Sequence, residues 1–506
     1  MPEIPVEKPA NLGDRIASWA DLDALRDRRV HVVGAGSVEG AHLLLFLLEH
    51  RFTNLVGHDF AAANDFDRAF KRVHVGWPMA EREAMLARLR GAVDLRLRDH
   101  YLEGIDGADA IAVTQGWYLY PANRPLLESP ALRERFFSLA QLYLALAPGP
   151  VVGVTGSNGK STTTRLLGEM LVRAGREVVM AGNDRHGQQA LGRLRDLSPA
   201  TVLVLEVSNR HLKMLRRSPD VAVVTNVFPN HLDEHGGWEG YVEAKTGLVA
   251  YQDAGGIAVL NADLDVTRAM AARTPARVLW FGEHVGAAGA GLAPDRGVLV
   301  APDRLLSVGM DADLSIDRAG LSLPGAHNAM NVAAAATTAL ALGAAPDAVA
   351  DTARSFRGLK HRIQFIWDKD GVRFYDDLNS TTPTASAAAL RTLDSGVVWI
   401  FGGDDKGLDS ADLARAAGHA VKLALALPGP GTDRIVAGLR GVRVAVESAE
   451  NLEDAVRRAV EVARPGDSVL LSPACPGFFT RYYVGADEDT GFKRVVREVT
   501  LAEVDR

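Results

Sequence analysis

The sequence has very little cysteine: Cys475 is the single one among 506 residues. One thiol cannot form an internal disulfide or supply the cysteine ligands of a structural zinc site, and this scarcity fits a reducing compartment. Aromatic residues are also few, at 6% of the chain, whereas 47% of residues are hydrophobic and 24% are charged. This balance is typical of globular proteins and excludes a fibrous or disordered chain.

An excess of positive charge is absent as well, since 56 Lys and Arg residues face 63 Asp and Glu residues for a net charge of -7. A negative chain is not expected to bind nucleic acid. The apolar run 43–48 is far shorter than the roughly 20 residues that span a bilayer. The first twelve residues lack the basic-then-apolar pattern of a secretory signal. We therefore predict a cytoplasmic monomer without a membrane segment.

Short apolar runs alternate with helical patterns along most of the chain, which predicts an α/β fold with buried parallel strands. At roughly 150 residues per domain, the length predicts three domains, with boundaries that give 1–149, 150–356 and 357–506. The runs that we interpret as strands are 30–33, 110–113, 151–154, 202–207, 221–224, 256–260, 397–401, 423–427 and 468–471.

A glycine loop lies between one of these strands and a helical stretch. The run 151–154 is followed by Thr-Gly-Ser-Asn-Gly-Lys-Ser-Thr at 155–162 and then by a helical pattern over 163–174. Glycines let backbone amides approach phosphate oxygens, a lysine neutralises the terminal phosphates, and a hydroxyl after it can ligate Mg²⁺. A strict P-loop has glycine where Val154 stands, so this is a variant loop. The predicted ATP contacts are Gly156, Ser157, Asn158, Gly159, Lys160, Ser161 and Thr162.

A second glycine pattern, Gly34, Gly36 and Gly40, follows the first strand, and Asp59 ends the next apolar run. The last glycine is one residue late for a dinucleotide fingerprint. Taken alone, this pattern leaves open an NAD(P)-dependent enzyme or a nucleotide-binding regulatory protein.

Two histidines, His231 and His235, are spaced as in zinc sites on helices. A zinc protease needs glutamate directly after the first histidine, where this chain has Leu232. A zinc hydrolase is therefore disfavoured.

The loop 155–162 resembles the nucleotide loop of the Mur ligases, which build the peptide stem of bacterial peptidoglycan. The resemblance covers about residues 30 to 498. Motifs that follow in the family's order are 205–208, 225–227, 231–233, 241–245, 325–328 with Asn331, and 361–362. Motifs most similar to the branch that adds glutamate to UDP-N-acetylmuramoyl-alanine are 375–381, 402–406 and 471–475.

The resemblance implies an N-terminal Rossmann-like domain, a central P-loop ATPase-like domain with a parallel or mixed sheet, and a C-terminal Rossmann-like domain. It implies an ATP-dependent amide-bond ligase that works through an acyl phosphate with two Mg²⁺ ions. The implied partners are UDP-N-acetylmuramoyl-alanine and glutamate, with D-glutamate favoured. L-glutamate, another amino acid or another acceptor stays open.

The same resemblance implies roles for individual residues. Lys160, His231 and Lys245 would be catalytic, and Asn328, Asn331, Arg362 and Asp377 would bind ATP. The implied Mg²⁺ ligands are Ser161, Glu206, His231 and a carbamylated Lys245. The implied UDP-substrate residues are Gly34, Gly36, Ser37, Asp59, Thr114, Gly116 and Asn183. The implied amino-acid contacts are Thr381, Lys406 and Ser472.

This chain departs from the family pattern near the amino acid and the muramoyl peptide. Asn379 replaces a lysine that is common in the branch, and Gly477 replaces a serine. The polar residues 208–211 stand where apolar residues are usual. These departures keep the choice of amino acid and acceptor open.

Overall fold

A computed structural model describes residues 10–74, 77–183, 190–230, 232–286, 296–323, 325–393, 395–405, 407, 409–478 and 491–502. The described residues form three β-sheets with helices packed on their faces. They divide into two compact units, Met1–Gly320 with Ala329–Arg354, and Leu321–Asn328 with Ser355–Arg506. The first unit holds two of the sheets and the second unit holds the third.

The first sheet is parallel throughout, with the strand order β3-β2-β1-β4-β5. Its central strands are largely buried and apolar, apart from His31 on β1 and His58 and Asp59 on β2, because helices cover both faces of the sheet. The strands are β1 (Val30–Val33), β2 (Leu55–Asp59), β3 (Asp94–Leu97), β4 (Ala110–Val113) and β5 (Phe136–Phe137). The α-helices are α1 (Leu12–Arg15), α2 (Trp19–Asp23), α3 (Val38–Glu49), α4 (Phe66–Val73), α5 (Met79–Ala92), α6 (Arg124–Glu128), α7 (Pro130–Arg133) and α8 (Leu139–Leu146).

The turn from β1 into α3 explains the late glycine of the fingerprint. A Cβ atom on Gly40 would lie 2.1 Å from the carbonyl oxygen of Gly34. Gly40 therefore permits the close approach of helix to strand that the last glycine of a regular fingerprint provides. The shift leaves Glu39 at the position where a regular fingerprint has that glycine.

The second sheet is mixed, with the order β14-β13-β12-β11-β10-β9-β6-β8-β7, and its antiparallel pairs are β12 with β13 and β13 with β14. The strands are β6 (Val151–Thr155), β7 (Val178–Gly182), β8 (Val202–Glu206), β9 (Val221–Val224), β10 (Ile257–Asn261), β11 (Arg277–Gly282), β12 (Gly297–Val300), β13 (Arg304–Val308) and β14 (Ser315–Asp317). The α-helices are α9 (Lys160–Arg173), α10 (Asn209–Leu212), α11 (Leu232–His235), α12 (Trp238–Thr246), α13 (Asp265–Met270), α14 (Ala326–Ala341) and α15 (Pro346–Ser355).

The third sheet has the order β15-β16-β20-β17-β18-β19 and is parallel except for β15, which pairs antiparallel with β16. The strands are β15 (Gln364–Lys369), β16 (Val372–Asp376), β17 (Val397–Phe401), β18 (Val421–Ala426), β19 (Ala445–Ser448) and β20 (Ser468–Leu471). The α-helices are α16 (Pro383–Leu393), α17 (Ala411–Ala420), α18 (Pro430–Leu439), α19 (Leu452–Val462) and α20 (Gly491–Ala502).

The predicted fold class, α/β with three sheet-bearing domains, is confirmed. The predicted strands agree with the observed ones to within two residues at each end, whereas the helix predicted over 163–174 begins earlier, at Lys160. The boundaries at 149 and 356 stay a prediction. Within the described ranges, none of the helices combines the length and the apolar character needed to cross a bilayer.

Two histidines are paired inside the first sheet. His31 on β1 and His58 on β2 are fully buried, and Nδ1 of His31 lies 2.8 Å from Nε2 of His58. The backbone amide of Leu102 donates to Nδ1 of His58. His58 must therefore carry its proton on Nε2 and donate it to His31. Burial lowers the pKa of His31 to about 4 and that of His58 to about 3, so both rings are neutral in the folded protein at neutral pH.

We predict that the free energy of unfolding falls as the pH drops below about 6.5, the ordinary pKa of histidine. The unfolded chain binds protons there while the buried rings stay neutral, so each ring costs about 1.4 kcal/mol per pH unit until its folded pKa is reached. In His31→Val, the free energy of unfolding measured with urea between pH 7 and 5 should change less steeply with pH. The difference in slope should correspond to at most one bound proton. Lower stability with an unchanged pH dependence would contradict this.

Candidate active site

The loop 155–162 lies at the carboxyl edge of the second sheet, and the residues that follow β9 hold it in place. Asn226 Oδ1 accepts from the amide of Asn158 at 2.9 Å, and Asn226 Nδ2 donates to the Asn158 carbonyl at 3.1 Å. The Thr225 hydroxyl donates to the same carbonyl at 2.6 Å. These contacts fix the loop before α9 begins at Lys160, whose helix N-terminus favours bound anions.

Gly159 meets a steric demand that only glycine satisfies. Its φ is +78°, and a Cβ atom there would lie 2.1 Å from Oδ1 of Asn331. Asn331 lies on α14, is buried, and accepts from the Thr163 hydroxyl at 3.4 Å. The structure thus brings Asn331, which the resemblance assigned to ATP, against the phosphate loop.

The hydroxyl groups of the loop have different surroundings. Ser157 is buried, and its hydroxyl donates to the carbonyl of Phe228 at 2.9 Å and lies 3.0 Å from the hydroxyl of Tyr241. Ser161 and Thr162 are half-buried in the first turn of α9. Ser157 therefore shapes the loop, whereas Ser161 and Thr162 keep part of their surface accessible.

Two lysine amines converge on one carbonyl oxygen of the loop. Lys160 Nζ donates to the Gly156 carbonyl at 2.9 Å, and Lys245 Nζ donates to the same atom at 2.8 Å. Lys245 is 1% exposed, and its amine lies 4.9 Å from the centroid of the Tyr241 ring. Burial, followed by the charge of Lys160, holds the pKa of Lys245 well below its ordinary value. The surroundings of Lys245 thus disfavour its charged form relative to a lysine in water.

Glu206 ends β8 beside the loop strand. The register pairs Glu206 with Val154 of β6 on one side and with Gly182 of β7 on the other. The carboxylate is 5% exposed, and Oε1 accepts from the side-chain amide of Asn183 at 3.0 Å. The predicted metal ligand and the predicted substrate residue Asn183 are therefore in direct contact.

The predicted UDP-substrate residues of the first sheet gather at its carboxyl edge. Asp59 accepts from the amides of Gly36 at 2.8 Å and Ala61 at 2.9 Å, so its carboxylate organises the turn after β1. Thr114 donates to the Val33 carbonyl at 3.2 Å. Ser37 caps α3, and Thr114 lies beside Gly34. Gly116 follows with a φ of +73°.

In the second unit, Asp377 and Ser472 form a buried pair at the ends of β16 and β20. The Ser472 hydroxyl donates to Asp377 Oδ2 at 2.7 Å, and the amide of Ile363 donates to Oδ1 at 3.1 Å. Ser472 is fully buried. Burial raises the pKa of Asp377 to about 7 despite these hydrogen bonds, so a nearby cation would be needed to keep it fully charged at neutral pH.

Arg362 lies in a turn that another buried pair supports. His361 has a φ of +58°, and its Nδ1 lies 2.9 Å from Asp376 Oδ2. Asp376 also accepts from the amide of Leu378 at 3.0 Å. Asp376 and His361 fall within the motifs 375–381 and 361–362, but the sequence alone indicates no contact between them.

Four predicted site residues lie apart from the contacts described above or outside the described residues. Asn328 lies in the first turn of α14, where its amide donates to the Gly325 carbonyl at 3.1 Å. Thr381 is half-buried just before α16. His231 and Lys406 lie outside the described residues.

The structure shows the surroundings of Asn379 and Gly477, the two positions that depart from the family pattern. Asn379 donates from its backbone to the His361 carbonyl at 3.0 Å, so it supports the turn that carries Arg362. Gly477 has a φ of +74°, and a Cβ atom there would lie 2.1 Å from Asp404 Oδ2. The Asp404 carboxylate therefore occupies the space that a serine side chain at 477 would need.

Comparison with known proteins identifies the family. Residues 154–339 match the family model of the Mur ligase middle domain, and residues 361–475 match the Mur ligase, glutamate ligase domain. A protein of Symbiobacterium thermophilum named UDP-N-acetylmuramoylalanine--D-glutamate ligase is 39% identical over 79% of this chain and 86% of its own length. A protein of the same name from Roseiflexus sp. (strain RS-1) is 38% identical over 67% of this chain and 74% of its own.

The chain belongs to the Mur ligase family. Its fold is similar to that of UDP-N-acetylmuramate-alanine ligase MurC from Thermotoga maritima, with a TM-score of 0.53 at 16% identity, over 94% of this chain and 99% of that one. As a Mur ligase it is an ATP-dependent ligase that uses Mg²⁺. An NAD(P)-dependent enzyme is not supported.

We predict that Gly159→Ala weakens binding of MgADP at least tenfold, because the new methyl group displaces Asn331 from the loop. Gly175→Ala is the matched control, since Gly175 has a φ of +79° with no atom within 4 Å of an added Cβ. Both variants should lose about 1 to 2 kcal/mol from the left-handed backbone. Calorimetric titration and thermal unfolding separate the two effects. Equal MgADP affinity in both variants would show that the Asn331 contact is unimportant.

Proposed function

We propose that this enzyme joins D-glutamate to UDP-N-acetylmuramoyl-L-alanine in peptidoglycan synthesis. The names of the relatives support the reaction, since those that match over most of their length are D-glutamate ligases of this acceptor. The observation that carries the proposal is the convergence of Lys160 and Lys245 on the Gly156 carbonyl, close to the strand edge that ends in Glu206.

The reaction has two steps. The acceptor carboxylate attacks the γ-phosphorus of ATP, which forms an acyl phosphate and releases ADP. The amine of glutamate then attacks the acyl carbon, phosphate leaves, and the nitrogen loses a proton as the amide forms. Both steps bring anionic groups together, so the enzyme's main task is to position them and neutralise their charge.

Lys160 and the loop amides supply this neutralisation. Lys160 begins α9, and its amine rests on the Gly156 and Ser157 carbonyls. Binding of ATP offers phosphate oxygens as stronger partners for a cation than these carbonyls. We assign the contacts of the phosphates to Gly156, Ser157, Asn158, Gly159, Lys160, Ser161 and Thr162, and further nucleotide contacts to Asn328, Asn331, Arg362 and Asp377.

Lys245 has the electrostatic setting for carbamylation. Two amines that donate to one carbonyl repel each other when both are charged, and the surroundings of Lys245 favour its neutral form. A neutral amine can attack CO₂, and loss of a proton then gives a carbamate. This change replaces a cation by an anion with two oxygens, which metal ions attract.

The residues present fit Mg²⁺. Within the described ranges, no cluster of three His, Cys, Asp or Glu side chains could hold a metal alone. Mg²⁺ commonly relies on one or two carboxylates together with substrate phosphates. We assign two Mg²⁺ sites to ATP phosphates with Ser161, Glu206, His231 and carbamylated Lys245. Bound Mg²⁺ would offset the charge of the phosphates.

Substrate recognition is assigned to both units. We propose Gly34, Gly36, Ser37, Asp59, Thr114, Gly116 and Asn183 for the sugar nucleotide, and Thr381 and Lys406 for the amino acid. Ser472 would act by holding Asp377, because its hydroxyl is buried. We expect a monomer. The second candidate is a ligase for L-glutamate, another amino acid or another acceptor, which the departures at Asn379 and Gly477 permit.

The proposal predicts that phosphate release from ATP requires both the acceptor and an amino acid. We expect D-glutamate to give the highest rate in a panel of D- and L-amino acids with UDP-N-acetylmuramoyl-L-alanine. A coupled phosphate assay with the peptide product identified by mass spectrometry tests this. Phosphate release that is unaffected by omitting either substrate would exclude the ligase, and L-glutamate as the best substrate would support the second candidate.

We predict that Lys245→Ala lowers kcat by at least 100-fold and that acetate or formate at high concentration restores part of the loss. A small carboxylate can occupy the space of the missing carbamate. Lys422→Ala is the control, because Lys422 pairs with Asp467 at 2.8 Å in the third sheet. Near-normal activity of Lys245→Ala without added carboxylate would refute the assignment.

A further inference from the structure

A buried carboxylate of the first sheet's helix α3 contacts a histidine of helix α10 beside the second sheet. Glu39 Oε1 lies 2.5 Å from His211 Nε2, and the two side chains are 7% and 4% exposed. The two residues are 172 positions apart in the chain. Both belong to the first compact unit.

Two further residues close this contact into a ring. Glu39 Oε2 accepts from the backbone amide of Gln115 at 2.7 Å. The side-chain oxygen of Gln115 accepts from the Ser208 hydroxyl at 2.9 Å. The backbone amide of Ser208 donates to His211 Nδ1 at 3.2 Å. We call Glu39, Gln115, Ser208 and His211 the ring.

The ring fixes the protonation of its members. A backbone N–H can only donate, so His211 Nδ1 is the acceptor and Nε2 carries the proton that Glu39 receives. Burial alone raises the pKa of Glu39, but its contacts with His211 and Gln115 outweigh burial and hold that pKa below its ordinary value. Each oxygen of the carboxylate thus faces a donor.

The members of the ring lie next to residues that we assign to the sugar nucleotide and to the Mg²⁺ of ATP. Glu39 stands where a regular fingerprint has glycine, and the ring is possible because Gly40 makes the close approach instead. Gln115 lies between Thr114 and Gly116, which we assign to the sugar nucleotide. Ser208 lies two residues after Glu206, which we assign to Mg²⁺.

We propose that Glu39 and His211 are positioning residues that hold the sugar-nucleotide loops of the first sheet in register with the phosphate site of the second. This role rests on the proposed function. The acceptor carboxylate must meet the γ-phosphorus of an ATP bound by a different sheet, and a misplacement of about 1 Å can cost about 100-fold in rate. Burial of a carboxylate costs free energy even when both of its oxygens are hydrogen-bonded, so fixed geometry explains the ring better than stability does.

Three variants separate this role from packing. Glu39→Gln has one acceptor oxygen for the two donors, His211 Nε2 and the Gln115 amide, so its amide group faces a donor. His211→Leu fills the space but removes the donor. His211→Gln is the conservative control, because its amide can still donate to Glu39.

We expect kcat to fall 10- to 100-fold in Glu39→Gln and His211→Leu, while KM for ATP and Kd for UDP stay within about threefold of the wild type. His211→Gln should retain kcat within about threefold. All rates are measured well below the unfolding temperature of each variant. Values of kcat within twofold of the wild type in both Glu39→Gln and His211→Leu would overturn the proposal.

A distance measurement tests the ring without turnover. Met79 and Val172 are 53% and 55% exposed on α5 and α9, and the single native cysteine, Cys475, is buried. Spin labels on Met79→Cys and Val172→Cys should give one narrow distance distribution in the parent and in His211→Gln. Glu39→Gln and His211→Leu should broaden or shift it, and unchanged distributions would overturn the proposal.

The two measurements also separate the ring from the reaction. A parent enzyme that lacks acceptor-dependent turnover would refute the proposed function. The label distances would still decide whether Glu39 and His211 fix the two sheets relative to each other.

Discussion

The placement of β6 between β8 and β9 is the constraint on which the rest of the active centre depends. In a parallel sheet the carboxyl ends of neighbouring strands share one edge, and ligands bind there. This arrangement brings the glycine loop after β6, Glu206 at the end of β8, and Thr225 and Asn226 after β9 to one place. Backbone pairing of the three strands therefore fixes where these groups lie.

Two lysine amines of the active centre rest on the protein's own backbone. Lys160 and Lys245 share the Gly156 carbonyl, which is a poor partner for two amines. Such an arrangement opposes folding locally, and active sites commonly carry a cost of this kind for the sake of function. Phosphate and carbamate would bring negative charge to the same place, and Mg²⁺ would offset part of it. These two amines therefore lie where anionic ligands would be favoured.

Much of this architecture could be predicted from the sequence, because its signals are local. Strands buried on both faces read as apolar runs, and the glycine loop carries its main chemistry within eight consecutive residues. The family motifs added Glu206 and Lys245 to this site. The structure shows that Lys245 is buried beside the amine of Lys160. The sequence alone does not indicate that a lysine has such surroundings.

The parts that could not be predicted depend on contacts between distant segments. Asn226 holds a loop 68 positions away, and Asp376 orients a histidine 15 positions before it. The glycine at position 40 departs from the dinucleotide fingerprint, and only the contact between Glu39 and His211 gives that departure a role. The roles of His231 and Lys406 remain predictions from the family pattern.

The displaced glycine of the first sheet has a consequence for exchanging parts between relatives. Gly40 in place of a glycine at 39 leaves room for a carboxylate whose partners lie in two other segments, at Gln115 and His211. A chimera that took its first domain from a relative with the regular fingerprint would leave His211 facing a glycine. Segments 34–40, 114–116 and 208–211 would therefore have to be exchanged together, although they are scattered along the chain.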